Sequence, residues 1–380
     1  MGKTSKNRTI RIVLDLYGAR NPSTGIGEFC HQLARRIADR ASTLKEQHGV
    51  HLYFILPYRM KGFYGDHVQY IALGGFPQRQ LMPFYPKRID LFHATHQFAH
   101  VKHMFFARHN LLTVHDINFM IEKHGLIREK YIYRFRKKLQ SVTHLNFISE
   151  FTRNDVLTHF DINKPFEVIY NGVTDLSGTP PCDMGKFGLP PTFLLHISST
   201  EPKKNVHLLV EMMRFLPEKN LVIVGRWRNE YSIWIKHHIK KLSLKNIFCL
   251  DNVSTREKAA LFAQCEGFLF PSLCEGFGLP PVEAMLMGKP AFLSCHTSLP
   301  EIGGDTAYYW NELEPEKMAA VVTAGLHDFW SDAGKARATA EWAQRFNWEQ
   351  CADQYIAYYL RILGLVSATH VSYEQDGISE

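Results

Sequence analysis

The chain has 380 residues, 45% of them hydrophobic and 21% charged, with 44 Lys and Arg against 37 Asp and Glu. That length exceeds what a single hydrophobic core serves and points to two domains, while the composition excludes a fibrous or disordered chain. The formal net charge of +7 favours acidic ligands or an anionic surface, but it is too small to mark a nucleic-acid binder.

The first residues, MGKTSKNRTIRIVLDLYG, are basic and then apolar. The apolar part is too short for a secretory signal, Asp15 interrupts it, and Lys6 breaks the myristoylation pattern after Gly2. TIRIVLDL within it reads as a buried strand, and GEFCHQLARRIADRA has its apolar residues at helical spacing. HLYFILP, HNLLTVHD and THLNFIS repeat the short β-rich run. The pattern weakens at VTDLSGTPPCDMGKFGLPP, whose glycines and prolines predict an interdomain linker, placed at residues 176–190. TFLLHIS restarts the alternation, followed by LVIVG, NIFCLDN, GFLFPS and PAFLS. NWEQCADQYIAYYLRILGLV is the last strong helix, and residues 367–380 form a loose polar tail. Seven scattered cysteines with no C-x-x-C pair suit a reducing compartment. No apolar run approaches the ~18 residues of a membrane span, so the expected location is cytoplasmic, with any membrane contact peripheral.

Alternating strands and helices give parallel sheets. The fold class expected is therefore α/β, with two doubly wound Rossmann-like domains, at residues 1–175 and 191–345, facing across a cleft. Such halves bind ligands at the carboxyl ends of their strands, which makes the cleft the default site.

The segment PSLCEGFGLPPVEAMLMGKP, residues 271–290, is the most specialised stretch. Pro280 and Pro281 suit the first turn of a helix and Gly288 its end. Glycines at 276 and 278 then lead into a helix N-terminus, where free amides attract a phosphate. Glu283 is expected in the first turn of that helix and Glu275 just before the glycines. Carboxylates beside a phosphate site accept hydrogen bonds from hydroxyls, which a nucleotide sugar supplies on both ribose and sugar.

The segment resembles the E-x7-E region of the retaining glycosyltransferases of family four, which have the GT-B fold. GIGEF, TVHDINF, FISEFTRND, VIYNGV, EPKKN, LVIVG and SLPEIGGDTA follow in the family's order along nearly the whole chain. The resemblance implies transfer of a hexose, mannose or similar, from a nucleotide-diphosphate sugar to an acceptor with retention of configuration. The second domain would hold the donor and the first the acceptor, and residues 346–366 would form a helix crossing back to the first domain. Glu283 would bind the ribose hydroxyls and Glu275 those of the transferred sugar. Main-chain amides of Gly276, Phe277 and Gly278, with Leu279 beside them, would meet sugar or phosphate. Lys204 in EPKKN would neutralise the leaving diphosphate, and His115 would lie at the transferred sugar.

One position departs from the family. Where an arginine often stands six residues before the lysine, this chain has Ser198. Arg226, just after LVIVG, is the candidate to supply the missing charge, and a solvated loop arginine is the other reading of it. Gly25 and Gly27 lack the full dinucleotide fingerprint and fit a loop closing over the diphosphate or sugar. Val253 and Thr255 follow NIFCLDN and are candidates for the base pocket. No D-x-D occurs, so no metal or other cofactor is expected. The histidines at 93, 96, 100, 103 and 109 read as an acceptor-facing loop in preference to a zinc site. KHGLIREKYIYRFRKK, residues 123–138, carries seven Lys or Arg and one acid, Glu129, with Tyr131, Tyr133 and Phe135 interleaved. It suits either an anionic membrane or a solvated helix face, and the membrane reading implies a lipid-linked glycan acceptor of lipopolysaccharide or O-antigen type. Two other functions stay open: a nucleotide-sugar-binding partner without turnover, and a GT-B nucleotide-sugar epimerase.

Overall fold

The structure, a computed structural model, describes residues 8–22, 24–73, 88–98, 107–180 and 182–367. Two parallel sheets organise it. The first contains β1 (Ile10–Asp15), β2 (Val50–Pro57), β3 (Gln69–Leu73), β4 (Ile89–Ala94), β5 (Ala107–Val114), β6 (His144–Phe147) and β7 (Phe166–Val168), in the order β3-β2-β1-β4-β5-β6-β7. The second contains β8 (Leu194–Ile197), β9 (Leu221–Gly225), β10 (Ile247–Asp251), β11 (Gly267–Phe270), β12 (Ala291–Ser294) and β13 (Tyr308–Trp310), in the order β10-β9-β8-β11-β12-β13. Helices cover both faces of each sheet, which is why the central strands read as unbroken apolar runs. Strand order reverses between β1 and β4 in one sheet and between β8 and β11 in the other. The loops leaving those strands open the crevices where such sheets take ligands.

The α/β architecture with two doubly wound halves is the one expected. β3, β4, β7 and β13 were not legible in the sequence. β4, IDLFHA, is fully buried yet contains Asp90 and His93, so its polar residues break the apolar run that marks its neighbours. The structure satisfies both. The Asp90 carboxylate pairs with Arg8 and accepts the Arg11 N–H at 3.0 Å. His93 bonds Tyr359 through Nδ1 at 2.7 Å and Thr113 through Nε2 at 2.8 Å.

Tyr359 belongs to the helix Trp348–Ile362, which packs Trp348, Cys351, Tyr355 and Tyr359 into the core of the first sheet with Phe29, Leu33 and Leu91. The chain reaches that helix through a bridge between Val173 and Asn347. A Cβ on Gly172 would overlap the backbone of Trp348, so the two crossing segments need a glycine there.

Candidate active site

The two carboxylates of the E-x7-E segment sit on different elements. β11 ends at Phe270, and Glu275 lies in the loop that follows. Its N–H donates to Thr297 Oγ1 at 3.0 Å, and Ser298 Oγ lies 3.1 Å from the Glu275 carbonyl and 2.8 Å from that of Phe277. Gly278 turns the chain at φ +117°, and the helix Leu279–Leu286 begins with Pro280 and Pro281 in its opening turn. Gly288, at φ +66°, terminates it. Glu283 lies one turn deeper than expected, because the helix already starts at Leu279.

Each carboxylate has its own ammonium partner. Glu275 is ion-paired with Lys204, and both side chains are largely buried. Glu283 has Lys258 Nζ at 2.5 Å. Burial raises the pKa of Glu283 and Lys258 opposes the rise. Phe277 turns its ring into the second core, 5.4 Å from that of Phe346, which leaves its main chain for the cleft.

The first sheet approaches from the other side. A Cβ on Gly276 would overlap the carbonyl oxygen of His115, and the Gly276 carbonyl accepts hydrogen bonds from Ser149 Oγ at 2.9 Å and Thr152 Oγ1 at 3.3 Å. His115 directly follows β5. Its Nε2 lies 2.8 Å from the Thr95 carbonyl, which can only accept, so the ring proton is on Nε2 and Nδ1 carries the lone pair. Burial lowers the pKa of His115 to about 4, so the ring is neutral near pH 7. Phe29 packs edge-on against it at 4.8 Å.

Gly25 and Gly27 are helical rather than in a loop. They open the helix Gly25–Asp39, capped by Thr24, whose Oγ1 accepts the Gly27 N–H at 3.1 Å. The expectation of a closing loop fails because Thr24 is an efficient N-cap. A Cβ on Gly27 would overlap the Asn21 carbonyl, and one on Gly25 would lie 3.9 Å from Leu279 Cδ1. Two helix N-termini therefore meet across the cleft.

Ser198 takes the role of a turn residue. Its hydroxyl lies 2.8 Å from His196 Nε2 and accepts the Thr200 N–H at 3.1 Å. Arg226 follows β9 and lines a cavity with Ser199, Glu201, Arg228, Asn229 and Asn252. Val253 packs on the second core, and Thr255 opens the helix Thr255–Gln264 behind its Ser254 cap. Thr200, Asn205, Asn252 and Thr297 all have positive φ. All four lie in loops at the carboxyl ends of the second sheet, where backbone strain commonly marks a functional surface.

The histidine cluster does not form one loop. His93 is in β4 and His109 in β5, while positions 100 and 103 lie outside the described residues. Among the described residues no group of three His, Cys, Asp or Glu could hold a metal ion.

Several residues of the site went unread in the sequence. Lys203 reaches across the cleft to Glu122 at 2.7 Å. Burial alone would lower its pKa, but Glu122, with Glu275 nearby, lifts it above the ordinary lysine value. Burial also raises Asp116 beside them. Glu301 accepts the N–H groups of Glu150 and Phe151 at 2.7 and 2.9 Å and the Tyr170 hydroxyl at 2.5 Å. The doubled lysine of EPKKN and the acid in SLPEIGG were the available signals. Lys258 had none, since a lysine on a helix four residues past a cap is ordinary.

Comparison with known proteins agrees with this fold. A family model described as Glycosyltransferase Family 4 matches residues 24–175, and one described as Glycosyl transferases group 1 matches residues 185–343. The chain is 26% identical to the O-antigen chain mannosyltransferase B of Escherichia coli, over 92% of this chain and 99% of that one. It is 25% identical to the O-antigen chain mannosyltransferase RfbU of Salmonella typhimurium, over 54% and 57% of the two. Among solved structures it is similar to sucrose-phosphate synthase from Thermosynechococcus elongatus, with TM-score 0.74 and 17% identity, over 94% of this chain and 100% of that one. It also resembles Anabaena Alr3699/HepE in complex with UDP-glucose, with TM-score 0.70 and 19% identity, over 93% and 99%. With a family match on each sheet and a relative aligned end to end, the chain belongs to glycosyltransferase family 4 and has the GT-B fold.

Proposed function

We propose that this glycosyltransferase is a retaining enzyme that moves a hexose, mannose or a close analogue, from a nucleotide-diphosphate sugar to a glycan acceptor in cell-surface polysaccharide or lipopolysaccharide synthesis. The observation that carries the reading is the pair of carboxylate–ammonium contacts, Glu275 with Lys204 and Glu283 with Lys258, facing a neutral His115. Glu283 accepts hydrogen bonds from the ribose hydroxyls and Glu275 from the transferred sugar. Lys204 and the N-terminus of Leu279–Leu286 take the diphosphate, with Arg226 at the outer end of the same sheet and Val253 toward the base. A donor phosphate draws Lys204 away from Glu275 and frees that carboxylate for the sugar.

Reaction on one face of the sugar needs no protein nucleophile. The bond from the anomeric carbon to the diphosphate breaks, the acceptor oxygen bonds to that carbon on the same face, and the acceptor proton passes to the departing phosphate. A ring with pKa about 4 is a poor base, so His115 serves by accepting a sugar hydroxyl through Nδ1. Lys204 and the helix dipole supply the charge a cation would otherwise bring.

The acceptor is proposed to be lipid-linked, met at an anionic membrane surface on the cytoplasmic side. Support comes from the helix Gly125–Gln140, whose outer face exposes Leu126, Ile127 and Tyr133 among Lys130, Arg134 and Lys137. Among the described residues no helix is long and apolar enough to cross a membrane.

The experiment is a thermal-stability screen over nucleotide sugars, including GDP-mannose and UDP-glucose, since a ligand at 100 times its Kd stabilises by ~2.7 kcal/mol. It is followed by transfer assays in EDTA with NMR of the product anomer. An inverted product, or activity restored only by Mg²⁺ or Mn²⁺, overturns the mechanism. Donor binding without release of the diphosphate would favour a binding partner, and a changed sugar without an acceptor would favour an epimerase.

A further inference from the structure

Glu283 is a buried carboxylate between charges of opposite sign. From the helix Thr255–Gln264, Lys258 places Nζ 2.5 Å from both of its oxygens. From the helix Gly25–Asp39 of the first domain, Glu28 acts on it with like charge. Glu28 is itself held by Gln32 Nε2 at 2.7 Å and Thr174 Oγ1 at 3.1 Å. Burial and then Glu28 favour the neutral form of Glu283, and Lys258 opposes both.

The protonation state decides what the side chain can hold. A carboxylate offers two acceptor oxygens, which match the two hydroxyl donors of a vicinal diol. A carboxylic acid gives up one of those acceptors to its own proton. Lys258 is the one cation placed directly on this carboxylate among the described contacts. Its side chain is only a quarter exposed, with Nζ 5.9 Å from the Phe262 ring centre, so the ammonium is held against the carboxylate and not left free in solvent.

We infer that Lys258 is a positioning residue that keeps Glu283 ionised and its two oxygens directed at the vicinal hydroxyls of the donor ribose. This rests on the assignment of Glu283 to ribose made above. The ammonium stays on the outer side of the carboxylate while the diol binds the inner side. No proton is transferred in the binding step.

Two measurements test it. The first needs no ligand. Melting temperatures of wild type, Lys258→Met, Lys258→Arg and Lys258→Met/Glu283→Gln are compared from pH 5 to pH 8. Without Lys258 the carboxyl of Glu283 takes up a proton more readily in the folded state than in the unfolded chain. The Lys258→Met variant should therefore fall further below wild type as pH rises. The double variant should lose that pH dependence and Lys258→Arg should restore the wild-type profile. Parallel profiles for Lys258→Met and wild type would overturn the proposal. If Lys258→Met does not fold, a double variant that folds supports the proposal, and a double variant that also fails makes Lys258 a packing residue and overturns it.

The second is calorimetric titration with GDP-mannose and UDP-glucose, whose diphosphate diesters do not titrate near neutrality. For Lys258→Met, affinity should drop about tenfold between pH 8 and pH 6, one pKa unit's worth, and stay nearly constant for wild type. Equal pH dependence in the two overturns the positioning role. Unchanged affinity of Glu283→Gln for both donors would instead sink the ribose assignment, and the ligand-free melting profiles would still report whether Lys258 governs Glu283.

Discussion

The carbonyl oxygen of His115 occupies the place that a Cβ on Gly276 would take. One residue follows a strand of the first sheet and the other a strand of the second, so the halves meet main chain to main chain at the expected point of reaction. Gly276→Ala should therefore hold the cleft open by roughly the width of a methyl group. A misplacement of that size can cost about 100-fold in rate. Steady-state kinetics should show kcat falling by 10- to 100-fold with diphosphate affinity nearly kept, and an unchanged kcat would mean the two loops separate without consequence.

The two carboxylates should fail differently. Glu283→Ala should weaken binding of both the free nucleoside diphosphate and the full donor, by a few kcal/mol at most for a lost charged hydrogen-bonding pair. Glu275→Ala should spare diphosphate affinity and lower kcat, because the sugar is no longer held in line. Calorimetry with the diphosphate, on variants whose melting temperatures match wild type, separates the two. Equal losses would mean the carboxylates are assigned to the wrong hydroxyls.

Buried histidines should make the fold acid-sensitive. Burial lowers His93 to about 3 and His115 and His196 to about 4. Unfolded histidine titrates near pH 6.5. The stability these rings contribute is whole above that pH and is lost as pH falls toward their folded values. His115→Gln should therefore lie furthest below wild type at pH 7 and narrow the gap by pH 5, by about 2 kcal/mol. Melting curves across that range decide it, and a constant gap would contradict the neutral, buried state of the ring.

The exposed basic helix should govern membrane binding and leave donor binding alone. Replacing Lys130, Arg134 and Lys137 with glutamine should weaken association with anionic liposomes, and salt should do the same to wild type. Lys138 is a poor choice for this test, because burial lowers its pKa to about 8. Co-sedimentation that does not change would leave the helix as a solvated face.

Much of this site was readable in advance because its chemistry is local in sequence. The glycines, prolines and glutamates of residues 271–290 specify a turn, a helix start and two acceptors within one short segment. His115 and Lys204 were marked by strand ends and a resemblance of motif. What stayed hidden depends on distance in space. Lys203 finds Glu122, and Lys258 finds Glu283, across separations of 81 and 25 residues, and no periodicity encodes such meetings. Gly25 and Gly27 suggest a loop in sequence because glycine signals flexibility more strongly than the preceding Thr24 signals a cap. β4 was hidden by Asp90 and His93, whose partners Arg8 and Tyr359 lie at opposite ends of the chain.

The tyrosines of the helix Trp348–Ile362 give the molecule an order of assembly. Tyr355 and Tyr359 complete the hydrogen bonding of Thr113 and His93 inside the first sheet. On the ribosome, the N-terminal half emerges long before these partners exist. Its core then holds a gap the width of a helix, and His93 Nδ1 lacks the Tyr359 hydroxyl that pairs it, a costly combination. The second half, whose strands and helices are contiguous in the chain, can close first. Translation thus finishes the first half last, and a stop codon before residue 348 would spare the core of the second sheet yet leave that of the first open.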